Sequence, residues 1–185
     1  MKYSNPEIES SYYPNNIGET LYKLVLEVQP KVIVEFGSLN GYSAVCMAMA
    51  LHELGNGGKV QCYDLWTKYP YRNSSIENTK NNISKYGLLD YVEFYEEDFN
   101  TWNTQHFDLL HVDISNDGET LLNINKRFYN QLTKGKTIIF EGGSHERDNV
   151  KWMHEYGKVP MNSVKSVVNY EVLNENFPSV SLIKI

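Results

Sequence analysis

The chain is poor in cysteine, with 2 in 185 residues, Cys46 and Cys62. Two thiols cannot build the disulfide framework of a small secreted fold. Both lie in apolar periodic stretches, which reads as buried free thiols in a reducing compartment. No apolar run approaches the ~20 residues of a membrane span, and the opening MKYSNPEIES lacks the apolar stretch of a secretory leader. Positive charge is scarce: 17 Lys and Arg stand against 23 Asp and Glu, a formal net charge of −6. The basic residues are scattered, which argues against the stripe of a nucleic-acid binder. Proline is sparse at 6, and no linker, repeat or low-complexity segment interrupts the chain. What remains is 41% hydrophobic and 22% charged, a globular composition long enough for one domain with a full core. The expectation is a cytoplasmic protein without nucleic-acid or membrane partners, with oligomers left open.

Two periods alternate along the chain. Ile17, Leu21, Leu24, Val25 and Val28 recur at helical spacing before Pro30; KVIVEF (31–36) then reads as a strand ending at Gly37. Tyr42, Val45, Cys46, Met49 and Ala50 mark a helix that Gly55 ends, and KVQCYDL (59–65) is a second strand. Ser74-Ser75-Ile76-Glu77 reads as a capping box opening a helix to Tyr86, followed by the strand YVEFYEE (91–97) and a short helical turn around Trp102. FDLLHV (107–112), a helix faced by Leu121, Ile124, Phe128 and Leu132, the strand KTIIFE (136–141) and a helix over 150–156 continue the alternation. The strands 167–173 and 180–185 are separated by too few residues for a crossover helix, so they pair as an antiparallel hairpin. The fold class is α/β: a Rossmann-like open sheet, mostly parallel, of about seven strands with a C-terminal antiparallel hairpin. We expect a single domain over 1–185, with an N-terminal helical segment (1–30) and a sheet core (31–185).

Open α/β sheets bind ligands beyond the carboxyl ends of their strands. The first strand ends in Glu35-Phe36-Gly37-Ser38-Leu39-Asn40-Gly41-Tyr42-Ser43. A dinucleotide site needs G-x-G-x-x-G, so that the pyrophosphate can approach the helix N-terminus. Here the spacing is Gly37-x-x-x-Gly41, Leu39 stands where the second glycine would be, and Glu35 would repel a pyrophosphate and attract a cation. Asp64, ending the second strand, suits a ribose diol.

The stretch from Glu35 to Ala48, EFGSLNGYSAVCMA, resembles the first motif of class I S-adenosylmethionine-dependent methyltransferases, above all the small-molecule O-methyltransferases of the catechol O-methyltransferase type. The resemblance extends through the strand order and terminal hairpin. It implies that Glu35, Gly37, Gly41 and Ser43, with Ser38 in the same turn, line the methionine half of S-adenosylmethionine. It further implies that Asp64 takes the ribose hydroxyls with Leu65 and Trp66 beside the adenine, that Asp98 and Phe99 meet the adenine edge, and that Asp113 faces the reacting methyl and a small-molecule acceptor. His145, in the loop after the fifth strand, is a second candidate base. His111, inside the fourth strand, reads as a buried side chain. The alternatives are a same-fold enzyme with other chemistry, hydroxylase-like, or a catalytically inactive cofactor- or partner-binding protein.

The metal reading departs from the resembled family. Catechol-type enzymes hold Mg²⁺ with an acid ending strand four and an Asp-Asn pair ending strand five. Asp113 matches the first acid and Glu141 can replace the Asp, but Gly142 stands in place of the Asn. Glu146 or Asp148 would have to complete the site. Mg²⁺ is therefore not favoured, no residue is assigned as a ligand, and the base is Asp113 or His145.

Overall fold

In a computed structural model that describes residues 1–70, 74–103 and 106–185, the two sequence periods become helices and strands in the alternation read above. Contacts cluster into two compact units, Met1–Leu109 and Leu110–Ile185. The strands β1 (Val32–Phe36), β2 (Lys59–Asp64), β3 (Val92–Glu96), β4 (Leu109–Val112), β5 (Thr137–Glu141), β6 (Tyr170–Asn174) and β7 (Val180–Ile183) run in the order β3-β2-β1-β4-β5-β7-β6, a seven-stranded mixed sheet.

In the first unit, α1 (Ile17–Val28) buries Ile17, Leu21, Tyr22 and Val25. It approaches α2 (Tyr42–Leu54) so closely that a Cβ on Gly18 would lie 2.3 Å from Cys46 Sγ. Helix α2 is buried without a break from Tyr42 to Leu51, which explains why its sequence is apolar all round and lacks a clear stripe. The strands β1 (Val32–Phe36), β2 (Lys59–Asp64) and β3 (Val92–Glu96) pair in parallel, with Glu35 opposite Cys62 and Cys62 opposite Phe94.

Helix α3 (Ile76–Ser84) corrects the expected cap. Ser75 is the N-cap, accepting the Asn78 N–H at 3.1 Å, while Ser74 Oγ donates to Asn40 Oδ1 at 2.8 Å. A tertiary hydrogen bond takes Ser74 out of the capping position, so the box with Glu77 is not made. The expected helix at Trp102 is a single turn, with the N–H groups of Thr101 and Trp102 on Asp98 O.

In the second unit, β4 (Leu109–Val112, its first residue belonging to the first unit) is followed by α4 (Gly118–Leu132), capped by Asp117 on the Thr120 N–H at 2.8 Å. The stripe Leu121, Ile124, Phe128 and Leu132 is buried as its spacing requires, each such side chain contributing about 1.5–3 kcal/mol. After β5 (Thr137–Glu141) come two short helices, α5 (His145–Asp148) and α6 (Lys151–Glu155), the first of which the sequence pattern does not disclose. The hairpin of β6 (Tyr170–Asn174) and β7 (Val180–Ile183) is antiparallel, and β7 also pairs antiparallel with β5. Strand β6 starts later than expected because the Val167 and Val168 N–H groups turn back onto Val164 O, at 2.9 and 3.0 Å, at the end of a 3₁₀ turn (Met161–Val164) that buries Met161 and Val164. Among the described residues no helix is long and apolar enough to cross a membrane.

Candidate functional site

The turn after β1 is held from within. Gly37 and Gly41 both adopt positive φ, +90° and +88°, which an L side chain resists. The Gly37 N–H donates to Tyr63 O (3.0 Å), Leu39 N–H to Asp64 Oδ2 (2.8 Å) and Gly41 N–H to Ser38 O (2.7 Å). These donors are spent inside the protein, so they do not form the N–H cradle that a pyrophosphate needs. Acids stand there instead. Glu35 is fully buried, with Ser38 Oγ donating to its Oε2 at 2.7 Å and Cys62 Sγ 3.5 Å from the same oxygen. Burial, and then the Glu35 charge, push the thiols of Cys46 and Cys62 well up, so both are inert. Ser43 is buried on the first turn of α2.

Asp64 performs two tasks in this turn. Its Oδ1 accepts the Trp66 N–H at 2.7 Å while Oδ2 accepts Leu39. Leu39 and Trp66 are both non-glycine residues at positive φ, +44° and +39°, and such strain persists where surrounding bonds impose it. The Leu39 carbonyl is fixed as well, accepting from Thr79 Oγ1 at 2.6 Å. Leu65 is half-buried. Trp66 is 1% exposed and its indole N–H donates to Thr79 Oγ1, so its ring is enclosed by the fold. Asp98 accepts the Asn100 N–H at 2.8 Å in a local turn, and the buried Phe99 ring sits edge-on to Phe36 at 5.1 Å.

Within the second unit, Asp113 stands one residue beyond β4, half-buried. Asn116 is buried, and its Nδ2 donates to Val112 O (2.8 Å) and Glu141 O (2.9 Å), tying together the ends of β4 and β5. Glu141 is engaged by Arg147: Nε meets Oε1 at 2.5 Å and Nη2 meets Oε2 at 2.9 Å, with both side chains buried. Burial pushes the Glu141 carboxyl up and the Arg147 guanidinium opposes it. Asp148 is likewise committed, accepting the N–H groups of Met161 and Asn162 at 2.8 Å each and Asn162 Nδ2 at 2.7 Å. Asp148, one of the two acids that would have to complete a metal site, thus has its oxygens engaged by the Met161 and Asn162 N–H groups and by Asn162 Nδ2. His145 is exposed on α5, with Asn149 Nδ2 3.3 Å from its Nε2. His111 is fully buried.

Sequence reasoning missed the polar stripe that fixes Asn40. Ser74, Asn78 and Asn82 recur every four residues, and their side chains donate to Asn40 Oδ1 (2.8 and 3.0 Å) and Asn40 O (3.1 Å). That i, i+4, i+8 spacing was the available signal. It also missed Arg147, whose signal was the Ser144 N-cap three residues earlier, accepting the Arg147 N–H.

The chain matches the family model described as methyltransferase domain over residues 34–141. No curated protein matches it. Among solved structures it is similar to cofactor-bound Rv0187 from MTB (17% identity, TM-score 0.64, covering 96% of this chain and 83% of that one). It is also similar to an O-methyltransferase from Bacillus cereus in complex with SAH (16%, 0.61, 98% and 84%). A third is SAH-bound methyltransferase PaMTH1 from Podospora anserina (17%, 0.61, 95% and 79%). At these identities the likeness to solved structures carries the fold. The family model, running from the strand that presents Glu35 to the strand that ends in Glu141, covers more than half of the sequence, and the chain belongs to the methyltransferase domain family, an enzyme of the class I, Rossmann-like kind.

Proposed function

We propose that this chain, acting as a single domain, transfers a methyl group from S-adenosylmethionine to a hydroxyl of a small molecule. The observation that carries the cofactor assignment is the turn after β1, whose Gly37, Leu39 and Gly41 N–H groups are consumed internally while Glu35 and Asp64 supply carboxylates. Such a donor-poor, acid-rich turn fits an ammonium and a ribose diol and disfavours a diphosphate. Solved neighbours described as bound to SAM or SAH support the same reading.

When bound, S-adenosylmethionine supplies an electrophilic sulfonium methyl. Glu35, with Gly37, Ser38, Gly41 and Ser43, would hold its methionine half, and Asp64 the ribose. Leu65 and Asp98 would border the adenine, backed by the enclosed rings of Trp66 and Phe99. Asp113 or His145 would take the proton that leaves the acceptor hydroxyl. Holding acceptor and methyl together would contribute up to ~7–11 kcal/mol in effective-molarity terms. Nearby O-methyltransferases among the solved structures support oxygen as the acceptor atom.

Calorimetry with S-adenosylmethionine, S-adenosylhomocysteine and NAD tests the cofactor. Methyl-labelled S-adenosylmethionine with a panel of phenols and sugars tests the acceptor. Saturable binding of the first two and label in a hydroxyl product are expected. Preferential NAD binding would overturn the cofactor assignment, and binding without turnover would return the chain to a binding role.

A further inference from the structure

The cluster at the end of β5 bears on how this chain treats the metal that catechol-type relatives use. It rests on the methyltransferase reading above only in taking this edge as the acceptor side. Glu141 is the acid that such a metal would need, and neither of its oxygens is available: Arg147 Nε and Nη2 cover Oε1 and Oε2 at 2.5 and 2.9 Å. The pair is held from several directions, with Arg147 Nη1 alone of the guanidinium nitrogens lacking a hydrogen-bond partner. Arg147 Nη2 also donates to Asn116 O at 3.2 Å, the guanidinium lies 4.6 Å from the Trp152 ring, and the Arg147 backbone N–H donates to Ser144 Oγ. The side chains are 3% and 7% exposed. A fork of two parallel hydrogen bonds between ionised groups, out of water, is not displaced by a hydrated divalent ion without losing both.

The surrounding donor set points the same way. Asp148 is committed to backbone and to Asn162, and Asp117 to the start of α4 and to Lys158 Nζ at 3.3 Å. Among the described residues no three His, Cys, Asp or Glu side chains come together as a metal-ligand group. Yet one oxygen suited to a cation does stand in the cluster. Asn116 Oδ1 is buried and without a hydrogen-bond partner, and its orientation follows from Nδ2 donating to two carbonyls. Glu141 and the Asn116 amide oxygen are ligand types that a hard divalent ion accepts, and Arg147 sits on the first and binds the backbone of the second.

We propose that the Arg147 guanidinium is the resident cation at this edge, excluding a divalent ion from Glu141 and Asn116, and that the enzyme works without a metal. Arg147 is a positioning residue here: it fixes Glu141 and Asn116, and through them the ends of β4 and β5.

The test is a Mn²⁺ titration followed by electron paramagnetic resonance, with calorimetry of S-adenosylhomocysteine binding run alongside. The wild type is expected to show no saturable Mn²⁺ site below about 1 mM. R147M, which keeps the bulk and removes the charge, should gain a site at least about tenfold tighter than any in the wild type, raise its Tm on adding Mn²⁺, and lose both responses in E141Q/R147M. R147K keeps the cation and should stay metal-free, an outcome that a merely structural arginine does not require. A saturable wild-type site that E141Q abolishes overturns the proposal, as does an R147M that folds and binds Mn²⁺ no better than wild type. Should R147M not fold, the wild-type titration and its E141Q control decide alone. Failure of S-adenosylhomocysteine to bind counts against the methyltransferase reading and leaves the Mn²⁺ result standing.

Discussion

Asp64 holds Leu39 in the left-handed region: its Oδ2 accepts the Leu39 N–H at 2.8 Å while the φ of Leu39 is +44°. The acid that ends β2 thereby sets the shape of the turn that ends β1. Its other oxygen does the same for Trp66, at φ +39° and 2.7 Å. One carboxylate thus fixes two strained residues, and the strain sits where the cofactor is proposed to bind.

Removing that carboxylate should release both. D64A is expected to lose about 1–3 kcal/mol of stability in urea unfolding and to bind S-adenosylhomocysteine at least about tenfold more weakly. D64A/L39G should regain part of the stability, because glycine occupies positive φ without the steric cost that a side chain carries there. If L39G recovers nothing, Leu39 stores no strain that Asp64 holds in place.

Gly41 offers a second probe of the same turn. A Cβ there would lie 3.0 Å from Thr79 Cγ2 and 3.3 Å from Ile83 Cδ1, at a φ of +88°. G41A is expected to cost roughly 1–2 kcal/mol from the backbone alone, with the contact added. T79S deletes the clashing methyl and keeps the hydroxyl that donates to Leu39 O. The double variant should therefore melt above G41A in calorimetry while staying below wild type. Identical melting of the two would clear the Thr79 methyl and leave the cost to φ and to the Ile83 contact.

The alternation of strands and helices was legible because each buried face imposes its own period: the α4 stripe from Leu121 to Leu132 is buried residue for residue. The hairpin was legible from chain length alone, since too few residues separate β6 and β7 for a crossover. What the sequence did not disclose are pairings set by tertiary geometry. Ser74 and Glu77 carry the spacing of a capping box, yet Ser74 serves Asn40, far away in the chain. Glu141 has the chemistry of a metal ligand, and its partner lies six residues on, brought back by the one-turn helix α5 that no periodicity marks. Nor did the sequence disclose that Trp66, placed beside the adenine by resemblance, is 1% exposed at positive φ with its indole N–H on Thr79 Oγ1.

Strand β7 lies between β5 and β6 in the sheet. Ending the chain at residue 178 would remove the partner of Ile139, Phe140 and Glu141 and strand β6 without a neighbour. It would also remove Ser179 Oγ, which accepts the Ser144 N–H, and Ser181 Oγ, which donates to Gly142 O at 2.7 Å. An apolar strand edge without its partner aggregates. The truncated protein is expected in the insoluble fraction after expression. A soluble product with a cooperative melt would show that β5 is adequately covered without β7.

Alkaline pH should destabilise the fold through its buried tyrosines. Burial pushes the phenols of Tyr42 and Tyr170 up to about 12, Tyr170 further raised by Asp148 and Glu175, and burial raises Tyr3 as well. In the unfolded chain a tyrosine ionises near 10, so above that pH the unfolded state sheds protons that the folded state keeps. The unfolded state then binds fewer protons, and stability falls with rising pH. The stabilisation is complete below about pH 10 and is lost as pH climbs through about 12. Urea midpoints measured from pH 8 to 11.5 should be level up to about pH 10 and then decline. Tyr170 Oη donates to Gly143 O and Asn162 Oδ1, both at 3.2 Å, so Y170F should start lower at pH 8 and decline less steeply. Equal slopes in Y170F and wild type would exclude Tyr170 from the alkaline transition and leave Tyr42 and Tyr3 to account for it.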